Sequence, residues 1–143
     1  MSKRNDILET LKTDLKNNIT VANGYSDALA QVYRGIYDVD ETSVLPAVAF
    51  WCYEDGITKH MLNSKRQRYL LILMRLYASN KGSGAIVNIH NLVDDVETFL
   101  YNTSHWTYSD DTLLGPTTQI WEAGVQDPNS LAAFDFKILY FQD

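Results

Sequence analysis

Apolar residues recur at helical spacing near the start of the chain. Ile7, Leu8, Leu11, Leu15 and Ile19 fall on one stripe of a predicted helix over 3–19, with Lys, Asp, Glu and Asn elsewhere. The stripe is too narrow for a helix buried all round, so it predicts one lying on the outside of the fold. Ser2 is placed to cap it, and Asp6 and Glu9 sit in the half where the helix dipole favours acids. Asn23-Gly24 marks a turn. Period-two alternation follows, with Leu29, Gln31, Tyr33 and Gly35 set against Ala30, Val32, Arg34 and Ile36, and predicts a first strand. An acidic loop, Asp38-Val39-Asp40-Glu41, comes next.

Two long apolar runs come after it. The first, VLPAVAFWCYEDG over 44–56, predicts a strand at 47–53, opened by Pro46 where a missing N–H does little harm. Both faces of that strand are apolar, which implies cover on both sides, by helices or by another subunit. The second, RQRYLLILMRLYA over 66–78, predicts a third strand after a polar loop at 55–65. Lys81-Gly82-Ser83-Gly84 breaks the pattern. Ile89, Leu92, Val93, Val96, Phe99 and Leu100 then match the helical template, with Asn88 as cap. After an irregular acidic and aromatic stretch at 101–116, strands are predicted near 117–122 and 131–141, joined by the turn-rich GVQDPNS. In the last strand Phe134, Phe136, Ile138 and Tyr140 share one face, opposite Asp135 and Lys137. The order α-β-β-β-α-β-β predicts a single α+β domain over 1–143. Its sheet, mixed or antiparallel, has about five strands with both helices packed on one face.

Composition narrows the function. With 143 residues, 45% hydrophobic and 21% charged, the chain is that of one folded domain. No membrane span or signal peptide is expected, and a single cysteine excludes an internal disulfide. A net charge of −6 argues against a surface that grips nucleic-acid phosphates. Against that background Lys59, Lys65, Arg66 and Arg68 cluster in one stretch. They predict a projecting hairpin at 55–68 whose cations, with His60, dock on an acidic protein surface.

Reactive chemistry is hard to find. Cys52 lies mid-strand with acids as its nearest charges, so it reads as a small core residue and not as an activated thiolate. His90 and Asp94 have metal-compatible spacing on the second helix, but further ligands are missing and a solvated face is the reading. His60 and His105 are loop residues. Gly82-Ser83-Gly84 lacks a phosphate-loop frame. The neighbouring pairs Glu54-Asp55, Asp94-Asp95 and Asp110-Asp111 point apart and make no acid/base dyad. Trp106 and Trp121 have more interest, since tryptophan is favoured at interface centres; composition fits a core or edge-packing role equally well, and Trp106 joins the candidate interface residues. No catalytic residue, metal or cofactor is expected; a binding or assembly protein remains.

The element order resembles a family. A short amphipathic N-terminal helix, a strand ending in Tyr33-Arg34-Gly35, and Pro46-Ala47-Val48-Ala49-Phe50 closing on Glu54 are similar to the tail terminator (tail completion) proteins of long-tailed bacteriophages. The second helix, Leu92 to Leu100, then Trp121-Glu122-Ala123-Gly124-Val125 and the final strand to Tyr140 extend the resemblance over nearly the whole chain. The resemblance implies a non-catalytic virion protein made in the host cytoplasm. It would form a homo-hexameric ring that caps the tail tube and meets the neck or head connector. DNA would pass through the channel without specific binding. The alternative, from another class, is a monomeric α+β adaptor or small-ligand binding domain.

Overall fold

The computed structural model describes residues 3–35, 45–60, 66–79, 85–102, 104–106, 113–121 and 129–142. Its elements are α1 (Lys3–Asn18), a 3-10 turn (Val21–Asn23), β1 (Gln31–Arg34), β2 (Ala47–His60), β3 (Arg66–Ser79), α2 (Ala85–Leu100), β4 (Leu113–Trp121) and β5 (Asn129–Gln142). All five strands form one sheet in the order β1-β2-β3-β5-β4. β1 runs parallel to β2, and the other three pairings are antiparallel. The fold is therefore α+β with a mixed sheet, in the predicted element order.

Both helices lie on one face. A single core joins Ile7, Leu8, Leu11 and Leu15 of α1 and Ile89, Val93, Val96 and Phe99 of α2 to alternate strand residues. Those are Val48 and Phe50 of β2, the even-numbered residues 70–78 of β3, and Ala132, Phe134, Phe136, Ile138 and Tyr140 of β5. Each large aliphatic or aromatic side chain buried there stabilises the fold by about 1.5–3 kcal/mol relative to exposure. Polar ties fix the position of α1. Lys16 Nζ donates to the carbonyls of Leu29 and Ala30, each at 2.8 Å. Arg34 of β1 reaches Asn5 at 2.8 Å and pairs with Glu9. Thr20 caps the 3-10 turn and Gly24 closes it at φ 92, a left-handed conformation suited to glycine, where Asn23-Gly24 predicts a turn.

The elements differ from expectation at their ends. β1 is only Gln31–Arg34, and α2 starts at Ala85, which puts Asn88 inside the helix instead of at its cap. The predicted polar loop at 55–65 is strand as far as His60. A bulge explains the miss: pairing skips Tyr53 between Cys52↔Ile72 and Glu54↔Leu71. One extra residue exchanges the faces, so Asp55 turns toward the helices, where it finds cationic partners. A charge that sequence pattern reads as a stop is thus an inward-facing strand residue. Ser2, the 38–41 loop, Lys65, the 81–84 break, Asp110-Asp111 and residues 122–128 lie outside the described residues.

Candidate functional site

The face of the sheet opposite the helices is the most distinctive surface. Register sets Trp51 beside Leu73 and Leu73 beside Asp135. One step on, Glu54, Leu71 and Lys137 form a row, followed by Gly56, Tyr69 and Leu139. Ala47, Ala49 and Tyr77 are buried on this side even without a covering helix, and Trp51, Tyr69, Leu71, Leu73, Leu131 and Leu139 are half-buried. The two-sided apolarity of 47–53 is thus explained on one side by helices. On the other, among the described residues, it faces outward.

The charges on this face are held by its own aromatics. The Arg75 guanidinium lies 5.2 Å from the Trp51 ring centroid and Lys137 Nζ 4.8 Å from that of Tyr69. Tyr69 donates its hydroxyl proton to Glu54 Oε1 at 2.6 Å, and that bond raises its pKa. Gly56 permits the arrangement, because a Cβ there would stand 2.5 Å from the Tyr69 ring. With Arg75 and Lys137 set against Glu54 and Asp135, an apolar strip through Leu71 and Leu73 is bordered by balanced charge. Such a surface suits protein contact.

The predicted site residues do not converge on it. Of the predicted projecting hairpin at 55–68, residues 55–60 and 66–68 are antiparallel strand, paired out to His60↔Arg66 with a register shift between Ile57 and Lys59, and β5 flanks β3 as far as Arg66↔Gln142; residues 61–65 lie outside the described residues. Arg66 is exposed there, while the side chains of Lys59 and His60, like all of Lys65, lie outside the described residues. Arg68 points to the helix side and binds Asp55 of its own chain at 3.1 Å, which removes it from the expected docking set. Trp106 is also corrected. It is 1% exposed, stacked on Phe99 and edge-on to Phe136, and so belongs to the core. The turn after α2 folds it under the sheet: Trp106 N–H donates to the Asn102 carbonyl at 3.0 Å, and Asn18 Nδ2 holds the His105 carbonyl at 2.8 Å. His105 also bonds Tyr25. His90 and Asp94 lie on the exposed side of α2, as read, and no metal-ligating group of side chains occurs among the described residues.

Two carboxylates, one half-buried and one buried, escaped sequence reading. Asp55, with a 9% exposed side chain, bonds Arg4 at 2.7 Å, Arg68 at 3.1 Å and the Tyr140 hydroxyl at 3.0 Å. Burial pushes its pKa up, but the bonds from Arg4, Arg68 and Tyr140 outweigh it and hold the carboxyl below the usual range. Asp95, 8% exposed on α2, accepts from Ser26 N–H at 3.0 Å and Ser26 Oγ at 3.3 Å. Here burial prevails and the pKa rises. Asp95 borders a cleft of about 200 Å3 with Ser26, Asp27, Pro46 and Asn91.

Cys52 is half-buried and packs on the core beside Val48 and Phe50, less enclosed than the core position expected of it. Burial raises its thiol pKa despite nearby Arg4 and Arg34. Iodoacetamide at neutral pH should therefore modify native Cys52 several-fold more slowly than the unfolded chain, measured by mass spectrometry. Equal rates would show an open, activated thiol.

The sequence matches neither a protein-family model nor a curated protein. No helix among the described residues is long and apolar enough to cross a membrane.

Proposed function

We propose that this chain is a non-catalytic assembly subunit of the tail-terminator kind. Its copies form a hexameric ring that caps a phage tail tube and meets the neck or head connector, with DNA passing through the channel unbound. The uncovered sheet face carries the reading. β2, β3 and β5 each have 14 residues. At about 3.3 Å per residue and 4.8 Å per strand they present a plane on the order of 600 Å2. That approaches the roughly 800 Å2 that each partner buries in a standard interface. The apolar strip through Leu71 and Leu73 runs down the middle of that plane with charges at its sides, the arrangement of a protein-contact patch. The resemblance in element order supplies the kind of assembly.

Light scattering should give the mass of a closed ring of six 16.3 kDa chains, at least when tail-tube protein is present, and electron microscopy should show rings. A 16.3 kDa particle under every condition would sink the reading. It would favour the alternative, a monomeric adaptor or small-ligand domain, for which the cleft beside Asp95 is the motivating feature.

A further inference from the structure

Among the described residues the sheet has two unlike open edges. On one side, β1 covers β2 only through Ala47–Phe50, and Gly35 N–H closes that pairing on the Phe50 carbonyl at 2.8 Å. From Trp51 to His60 the outer edge of β2 meets no strand among the described residues. On the other side β4 is outermost, and its sequence LLGPTTQIW carries no charge. Free edges are ordinarily guarded by charges, proline or bulges. In β4, Pro116 and the register shift between Leu114 and Thr117 guard only the first part, leaving Thr117 to Trp121 regular and neutral. In the free part of β2, register shifts at Tyr53 and Thr58 and the charge of Lys59 guard the two ends and leave Glu54–Ile57 regular; there the carboxylates are already engaged, Glu54 by Tyr69 and Asp55 by Arg4 and Arg68. The large apolar side chains left outside are Tyr53, 68% exposed, and Ile57, 43% exposed.

We propose that copies of this chain join edge to edge, with β4 of one subunit adding to the Trp51–His60 edge of the next. This rests on the ring assembly proposed above and specifies the surfaces that make it. Strand direction agrees with it. β2 is antiparallel to β3, β3 to β5 and β5 to β4, so β4 runs opposite to β2. A neighbour in the same orientation therefore presents its β4 antiparallel to β2, and the alternation continues across the junction. Neither edge can join its own kind in this arrangement. The contact is heterologous and repeats until it closes into a ring or runs on as a filament. Because β1 occupies the first part of β2, each copy adds with a stagger along the strands, which tilts them as in a barrel.

Two single substitutions test this. Ile57→Lys blocks the β2 edge and Gln119→Lys the β4 edge; both positions are exposed, so each monomer should melt like the wild type. Each variant alone should remain at 16.3 kDa. An equimolar mixture at high concentration should give a dimer of twice that mass and nothing larger, because one intact β4 edge meets one intact β2 edge. Sedimentation velocity reads the result. Rings of wild-type mass from either variant, or a mixture that stays monomeric while the wild type forms rings, would overturn edge pairing alone. A wild type that stays monomeric under every condition, with tail-tube protein included, would overturn the ring itself.

Discussion

Trp106→Ala should unfold this protein far more readily, at a loss of about 3–5 kcal/mol, the usual range for deleting a buried aromatic. Trp106 is 1% exposed and links three parts of the fold: Phe99 of α2 at 5.8 Å, Phe136 of β5 at 6.2 Å, and the 104–106 turn that Asn18 ties to α1. Removing the indole leaves a cavity between helix and sheet that such rigid neighbours fill only in part. Domains are stable by about 5–15 kcal/mol, so the variant should retain a minor part of that margin. Trp106→Phe keeps the stacked ring and should recover more than half of the loss. Urea denaturation followed by circular dichroism measures both, with a lower midpoint and an unchanged slope. A loss below about 1 kcal/mol, typical of surface changes, combined with failed ring formation would return Trp106 to the interface.

Periodic segments made most of the fold legible from sequence. β5 alternates cleanly because one of its faces is core and the other is not, so Phe134, Phe136, Ile138 and Tyr140 separated from Asp135 and Lys137 without ambiguity. α1 and α2 carried unmistakable stripes for the same reason. Where pattern failed, a local irregularity or a long-range contact had intervened. The bulge at Tyr53 shifts the face code of β2, and Asp55 then reads as solvated when it is enclosed. Its partners Arg4, Arg68 and Tyr140 are far apart in sequence, and no spacing rule connects them. Trp106 sits in a stretch without periodicity, and only the packing of the turn against α1 and β5 makes it core.

The candidate surface was half legible. Apolarity on both faces of 47–53 pointed to cover beyond the helices, and the open face around Leu71 and Leu73 has that character. The cation cluster pointed elsewhere, and the cross-strand ion pair of Arg68 with Asp55 shows why counting charges along a chain misleads. A charge acts through what it faces, and on a strand that depends on register.

Asp55→Asn is expected to cost about 2–3 kcal/mol near neutral pH. Removing one member of a buried ion pair typically costs about 3–5 kcal/mol because the remaining charge is stranded. Here the penalty is smaller, since the Arg4 and Arg68 side chains are 49% and 19% exposed and water reaches both. The sign of the pH dependence follows from the direction of the shift. Asp55 has a folded pKa below its ordinary value of about 3.9, so its stabilising effect is complete above that value. It disappears as pH falls through the lower folded pKa. Asp95 has the opposite sign: its raised folded pKa means that acidification from neutral pH stabilises the fold through this residue. The gap between wild type and Asp55→Asn should therefore be constant from pH 7 to about 5 and should close below about 3.9, while the Asp95 contribution cancels because both proteins carry it. Arg4 anchors the first turn of α1, so hydrogen exchange at the amides of Ile7–Thr10, which bond back to the carbonyls of that turn, should accelerate in the variant well before global unfolding. A gap that is absent at pH 7, or one that widens in acid, would remove Asp55 as the clamp between α1 and the β2–β3 hairpin.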